Sequence, residues 1–434
     1  MKALMNNSVG NKQFSWGFLK FAVCLMLVGL AYRLLLSSSV QFSTVLVATD
    51  SASAAADETL PLPVSSDELL ENVDEDQSSE IVKCDLFVGE WVPDSRGPFY
   101  TNETCNSIQT HQNCMSNGRP DTDYIYWRWK PRDCELPRFN PRKFLNFMKN
   151  KSMAFIGDSI MRNHVQSLLC ILSQEEKVEE VYHDEQYKSR RWYFPANDFT
   201  LSVVWSPYLA KATIFEDDNG VSTDIVQLHL DKLDEVWTEQ FKNFDYAVVA
   251  GGKWYMKPAI YYENGVIVGC HSCPGKNITE VGLDFAYRRA MNSTLGYIAS
   301  SKRKVYTFFR TTTPSHFENG EWNTGGYCNR TRPFKEGEAE IDSTDELMRR
   351  IEVEEFEKAS AVGSDREKGL SLKLFDTTYV SLLRPDGHPG IYRQFHPLAG
   401  KDKGVKVQND CLHWCLPGPI DSWNDLMMAM LLHA

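Results

Sequence analysis

The sequence predicts an α/β protein, a sandwich of helices around a largely parallel sheet, preceded by a disulfide-tied N-terminal cap. Two observations predict the sandwich. Short apolar runs end repeatedly in small or polar residues, and segments with helical spacing separate them. The third observation predicts the cap: residues 84–141 hold four cysteines, many aromatics and turn formers, with little periodicity of either kind.

The first strand candidate is Ser152–Ile156, which ends in Gly157-Asp158-Ser159. Ile160 to Gln174 follows, with apolar residues at 161, 165, 168, 169 and 172, the spacing of one helix face. Strand, tight turn and helix are thus expected in succession. Comparable strands are expected at Asp245–Ala250, Val305–Phe309 and Ser371–Phe375, and helices at 280–300, 344–361 and 421–432. In a parallel sheet the working residues gather at the carboxyl ends of strands. Gly157-Asp158-Ser159, Gly251-Gly252 and Arg310 to Ser315 all take such positions.

Charge divides the chain before the folded part begins. Of the net charge of -12, residues 1–36 carry +4 and residues 37–80 carry -10, so 81–434 holds only -6. A folded part this balanced, with no Lys/Arg block, lacks the electrostatic footprint of a nucleic-acid binder. Aromatic residues make up 12% of the chain, more than a spacer would carry; most belong to a core, and the rest suit sugar rings.

Residues 1–15 read as a cytosolic tail and 16–36 as a transmembrane signal-anchor, close to the ~20 residues that cross a bilayer. Lys20 and Arg33 near its ends can snorkel. Lys2, Lys12 and Lys20 lie before the run, and beyond Arg33 no cation occurs until Lys83, so the positive-inside rule gives type II topology. The alternative is a cleaved signal peptide with Phe21–Tyr32 as its apolar core; either way the rest is lumenal. Residues 37–80, acidic and poor in large apolar side chains, read as a disordered stem. The N-terminal region then spans 81–141 and the catalytic domain 142–434.

Beyond Cys24 in the anchor, ten cysteines remain: 84, 105, 114, 134, 170, 270, 273, 328, 411 and 415. An even number in an oxidising compartment argues for disulfides. A zinc site at Cys270–Cys273 or Cys411–Cys415 is the competing idea, disfavoured because the spacing does not repeat as paired knuckles, so no metal is expected. Glycosylation sequons at Asn102, Asn150, Asn277, Asn292 and Asn329 all fall in the lumenal part.

A serine attacks a carbonyl only when a base takes its proton and something stabilises the oxyanion. Ser159 stands where a helix begins, beside free N–H groups, although Asp158 or Ser159 could equally be an N-cap. Asp410-Cys411-Leu412-His413 supplies a compact base: an Asp three residues before a His can fold back onto Nδ1 and leave Nε2 free. Asp386-Gly387-His388 is a rival pair, ranked second because its glycine and flanking prolines suggest a shaped loop. His164, on the helix after Ser159, reads as a partly buried side chain, and His316, after a strand, as a substrate contact.

At Gly157-Asp158-Ser159-Ile160-Met161-Arg162-Asn163 and Asp410 to Gly418 the chain resembles the plant trichome birefringence-like family of Golgi polysaccharide O-acetyltransferases, related in catalytic layout to SGNH/GDSL esterases. The resemblance covers nearly everything from Cys84 onward. It includes Cys84 to Trp91, Gly118 to Asp121, Trp127 to Pro131, Arg310 to Cys328 with Trp322-Asn323-Thr324-Gly325-Gly326, and Arg384 to Pro389. It implies an SGNH/GDSL-esterase-like three-layer sandwich and a double displacement, with Ser159 as nucleophile, His413 as base and Asp410 orienting it. By the same analogy Gly252, Arg162 and Asn163 support the oxyanion, and His316, Asn323, Asp386 and His388 contact substrate. No bound cofactor is implied. An acetyl donor is required, acetyl-CoA or another acetylated donor, which could be a partner protein. Where many members have Gly-His-Trp this chain has Gly252-Lys253-Trp254, so that histidine's role does not transfer. The segments Tyr261 to Asn264 and Gly269 to Cys273 resemble the branch that acetylates xyloglucan, on side-chain galactose; xylan, mannan and pectin are the other acceptors. The implied pairings are Cys84–Cys134, Cys105–Cys170, Cys114–Cys415, Cys328–Cys411 and Cys270–Cys273. An acetylesterase with the same triad and a non-catalytic glycan-binding protein are the rival functions. The implied address is the Golgi membrane.

Overall fold

The computed structural model describes residues 84–216, 222–364, 372–399 and 407–432, all within one unit spanning 66–434. The expected tail, anchor and stem lie outside the described residues. Among the described residues no helix is long and apolar enough to cross a membrane.

The cap is less irregular than the sequence suggests. Strands β1 (Gly89–Pro93) and β2 (Trp127–Pro131) form an antiparallel pair with Trp91 opposite Trp129, their rings edge to face at 5.8 Å. Two facing indoles stabilise the pair across strands that have few partners. Cys84–Cys134 ties its ends, while Cys105–Cys170 and Cys114–Cys415 join the cap to the rest. Cys270–Cys273 and Cys328–Cys411 are also bonded.

After helix α1 (Pro141–Phe147) comes β3 (Ser152–Gly157), then α2 (Ser159–Leu172). Strands β4 (Glu179–His183), β5 (Arg190–Phe194) and β6 (Phe199–Trp205) follow. Next are β7 (Ala210–Thr213), β8 (Val226–Leu233), α3 (Glu235–Phe241) and β9 (Tyr246–Val249). A hairpin of β10 (Ala259–Glu263) and β11 (Val266–His271) precedes α4 (Gly282–Ser300). The chain ends with β12 (Tyr306–Arg310), α5 (Ser343–Ser364), β13 (Leu372–Phe375), α6 (Thr378–Leu382) and α7 (Asp421–Leu432). The four expected strands and the expected helices lie within a few residues of these bounds.

The main sheet runs β13-β12-β9-β3-β6-β5-β4. Its first five strands are parallel, and β5 and β4 add an antiparallel edge. β3 is central and buried on both faces, as its unbroken apolar sequence requires. Met153 and Phe155 enter one core with α2 and α7; Ala154 and Ile156 enter the other with α4 and α5. Period-two alternation thus feeds two helical layers from one strand, which makes the three-layer α/β sandwich. A second, four-stranded sheet, β11-β10-β8-β7, sends Val226, Leu228, Leu230 and Tyr261 into the same core as α4 and α5.

Four of the five sequon asparagines are exposed, and Asn102 is half-buried. The Asn292 amide on α4 donates to Glu355 on α5.

Candidate active site

β3, β9 and β12 are parallel neighbours, so Asp158-Ser159, Gly251-Gly252 and Thr311 to Thr313 meet at one edge of the main sheet. Gly157 is needed there for close approach: a Cβ on it would lie 2.4 Å from the Ala250 carbonyl oxygen, and its φ of +152° disfavours other residues. Asp158 is the N-cap of α2, its carboxylate accepting from the Ile160 N–H at 3.0 Å. Burial raises its pKa, against the pull of the buried Arg310. Ser159 is left as the first helical residue, partly exposed and unused as a cap.

His413 arrives from the far end of the chain. Its Nε2 accepts from Ser159 Oγ at 2.8 Å, and its Nδ1 donates to Asp410 Oδ2 at 2.9 Å. Asp410 Oδ1 also accepts from the Leu412 and His413 main-chain N–H groups, at 3.2 and 3.0 Å. One carboxylate therefore fixes both the backbone turn and the ring, which is what the three-residue spacing makes possible. Burial alone would raise the Asp410 pKa, but His413 and these hydrogen bonds hold it far below the usual carboxylate range. For His413 burial opposes charge, yet the Asp410 carboxylate prevails and lifts the pKa above the ordinary 6.5. The result is a serine hydroxyl aimed at a basic, oriented imidazole.

The loop carrying His413 has no regular secondary structure, so its position comes from elsewhere. Cys411 and Cys415 anchor it to Cys328 and Cys114, and Asp410 pairs with Gly390 through two main-chain hydrogen bonds. The buried Asn163 side chain accepts from the Trp414 N–H at 2.7 Å and donates to the Trp414 carbonyl at 3.3 Å. Its amide is thus committed to the loop and is not available to an oxyanion. The family resemblance implied that Asn163 supports the oxyanion; in the structure its side chain bonds Trp414, 251 residues away.

Among the described residues the Ser159 and Gly252 N–H groups have no acceptor, and Gly252 borders Asp158, whose Oδ2 would be 3.2 Å from an added Cβ. Arg162, one turn after Ser159, has no carboxylate partner among the described residues; it reaches Gln109 at 3.5 Å and lies over the Trp205 ring. Lys253, at the position where the histidine is missing, pairs with the buried Asp345. His111 was not singled out from sequence. It meets His413 edge to face at 6.1 Å, and burial lowers its pKa to about 4.

Three expected substrate contacts are turned inward. Asp386 is 1% exposed and holds the fully buried Arg384, which donates to the Tyr124 carbonyl. His388, 4% exposed, stacks on Trp414 at 4.3 Å and donates to the His413 carbonyl at 2.8 Å. His316 bonds His388 and the Leu382 carbonyl. Only Asn323 is exposed, at the tip of the turn 318–327. A buried side chain with its polar atoms taken cannot read a glycan in solvent, so Asp386 and His388 are supports. His164 is a core residue, packed against Phe155 and Trp423 with neither nitrogen hydrogen-bonded. At Cys270–Cys273 both sulfurs are in one bond beside Glu280.

Residues 136–430 match the GDSL/SGNH-like acyl-esterase family found in Pmr5 and Cas1p, and residues 82–135 match the PMR5 N-terminal domain. Protein trichome birefringence-like 25 of Arabidopsis thaliana is 53% identical over 96% of this chain and 92% of its own length. Xyloglucan O-acetyltransferase 1 of Populus trichocarpa is 44% identical over 81% and 82%, and xyloglucan O-acetyltransferase 2 of Arabidopsis thaliana is 41% identical over 80% and 83%. With matches that span more than half of the chain and relatives this similar along most of their length, the protein belongs to the GDSL/SGNH-like acyl-esterase family, among the trichome birefringence-like proteins.

Proposed function

We propose that this protein is a polysaccharide O-acetyltransferase that works through an acetyl-Ser159 intermediate, with a plant cell-wall hemicellulose as acceptor. The observation that carries the reading is the contact chain Ser159 Oγ to His413 Nε2 at 2.8 Å and His413 Nδ1 to Asp410 at 2.9 Å. His413 takes the Ser159 proton as Oγ attacks the acyl carbon, and the tetrahedral oxyanion lies at the α2 N-terminus beside the unpaired Ser159 and Gly252 N–H groups. Collapse expels the donor's leaving group, which receives the proton from His413. A sugar hydroxyl then gives its proton to His413 and attacks the acyl carbon, and the departing Ser159 Oγ takes that proton back from His413, which regenerates the enzyme.

Relatives 41% and 44% identical to this chain are named as xyloglucan O-acetyltransferases. Xyloglucan is therefore the first acceptor to test, on side-chain galactose, before xylan, mannan and pectin. The donor is acetyl-CoA or another acetylated molecule. Residues 16–36 would hold the enzyme in the Golgi membrane with its catalytic domain lumenal.

Mass spectrometry of oligosaccharides from several hemicelluloses, after incubation with enzyme and isotope-labelled acetyl donor, tests the reading. Label on xyloglucan oligosaccharide supports transfer, and label released only as acetate indicates an esterase. Ser159→Ala should lower either turnover by roughly four orders of magnitude. Full activity in that variant would overturn the mechanism.

A further inference from the structure

His316 and His388 make three short polar contacts in a row. His316 Nε2 lies 2.9 Å from the Leu382 carbonyl oxygen, His316 Nδ1 lies 2.7 Å from His388 Nε2, and His388 Nδ1 lies 2.8 Å from the His413 carbonyl oxygen. Carbonyl oxygens only accept, so each outer contact needs a proton on the ring nitrogen. Two neutral imidazoles carry two protons between them. Spent on the carbonyls, they leave two lone pairs facing each other at 2.7 Å; placed between the rings, one leaves a carbonyl facing a bare nitrogen. Only a pair with three protons satisfies all three contacts.

We propose that His316 and His388 share one bridging proton and act as positioning residues that hold the main chain of the base, His413, from behind. The proton comes from solvent. Removing it opens one of the three contacts, so the pair gains or loses it as a unit. Burial opposes charge at each ring, and taken singly it puts His316 at about 4. Repulsion between two charged rings adds to this at His388, but it acts only on a second proton. The surroundings divide in sign. Asp386 and Asp410 face the pair as acids; Arg119, whose Nη1 donates to the His388 carbonyl, together with Lys253 and Arg330 face it as bases. All five have partners: Asp386, Lys253, Arg330 and Arg119 are in ion pairs with Arg384, Asp345, Glu318 and Asp121, and Asp410 accepts from the His413 ring. The face of Trp414 at 4.3 Å from His388 adds a favourable surface for a cation.

The inference depends on the acyl-transfer reading for its kinetic arm alone. A spectroscopic arm reads the proton directly, in the full chain with ¹⁵N-labelled histidine, with resonances assigned by their loss in His316→Gln. Over roughly pH 5 to 8 the pair should show three protonated nitrogens, and His316→Gln should abolish the shared proton. Two rings that each show one protonated and one bare nitrogen throughout this range would overturn the proposal.

The kinetic arm compares His388→Asn with His388→Phe. An Asn amide can replace Nδ1–H toward the His413 carbonyl without carrying charge; Phe cannot. His388→Asn should keep kcat within about threefold, whereas His388→Phe should lose roughly tenfold or more in kcat with KM unchanged. Loss of the neighbouring charge in His388→Asn should also raise the His413 pKa, moving the acid limb of kcat/KM to higher pH. Equal losses in the two variants, or an acid limb that does not move, would remove the positioning role. If wild type itself transfers no acyl group while the shared proton is seen, the reading of function fails and the proton remains.

Discussion

Ser159 and His413 meet at 2.8 Å but are held by different means. Ser159 stands at the junction of a central strand and a long helix, positioned by sheet register, the Asp158 cap and the Gly157 close approach. His413 lies in an irregular loop, positioned by two disulfides, the Asp410 carboxylate and the side chains of Asn163 and His388. Regular structure tolerates the loss of one contact because its neighbours repeat the constraint. A loop held by single contacts does not. Damage of equal size should therefore cost more activity on the His413 side.

On the His413 side the largest effect should come from Asp410→Asn, which removes the charge and one of the two carboxylate oxygens that serve backbone and ring. Turnover should fall by roughly 10³-fold or more. The pH profile carries a second sign. A base must be neutral, and Asp410 raises the His413 pKa above 6.5. Wild-type kcat/KM should therefore fall as pH drops through a midpoint above that value, and the residual activity of Asp410→Asn should have its acid limb at lower pH. A limb that stays in place would show that Asp410 does not set the base's pKa.

Asn163→Ala comes next. It strands the Trp414 N–H and carbonyl in a buried site, at a cost of about 1–3 kcal/mol, measurable by urea unfolding. It should also lower kcat roughly tenfold or more, with little change in KM, because His413 loses its aim. Asn163→Asp should accept from the N–H but not donate, and should be an unsuitable replacement despite its shape. If either variant instead left kcat intact, the loop would be held by its disulfides alone.

The same division governs what could be read from sequence. The Ser159 side was legible because strand, turn and helix are encoded within about twenty neighbouring residues, and periodicity reports local structure well. Asp410 and His413 were legible because the pair is local too. The hold that Asn163 and His388 have on the His413 loop was not legible, because their partners lie 251 and 25 residues away and leave no mark on spacing. The second sheet was missed for a different reason. Its strands alternate in the ordinary way, as Val226, Leu228 and Leu230 of β8 do, and Asn264-Gly265 between β10 and β11 is a strong hairpin signal. A search tuned to unbroken apolar runs, the mark of strands buried on both faces, passes over strands buried on one.

Gly157→Ala tests the opposite side. The added carbon would meet the Ala250 carbonyl oxygen at 2.4 Å, and β3 and β9 must separate or twist to admit it. About 2 kcal/mol of stability should be lost, seen as a lower Tm. The fraction that remains folded should retain more activity than Asn163→Ala does, because register and the Asp158 cap still place Ser159. The reverse ranking would contradict the division between the two sides.

His164→Leu should have the smallest effect at neutral pH, although His164 lies on α2 only five residues after Ser159. Its ring is fully buried among Phe155, Phe375 and Trp423, with neither nitrogen hydrogen-bonded. Burial pushes its pKa down to about 3. At neutral pH the native and unfolded forms are both uncharged, so the substitution exchanges one buried ring for an apolar side chain of similar size and should change stability by about 1 kcal/mol or less. Below the ordinary 6.5 the unfolded chain binds a proton that the native state refuses, so native stability falls as pH drops, by on the order of 4 kcal/mol by the time the native value is reached. Leucine removes that liability. Tm should therefore decline less steeply between neutral and acid pH in His164→Leu than in wild type, with the acid limb of kcat/KM unchanged, since that limb belongs to His413. Parallel Tm curves would mean that His164 is protonated in the folded protein and is not the inert core residue its surroundings require.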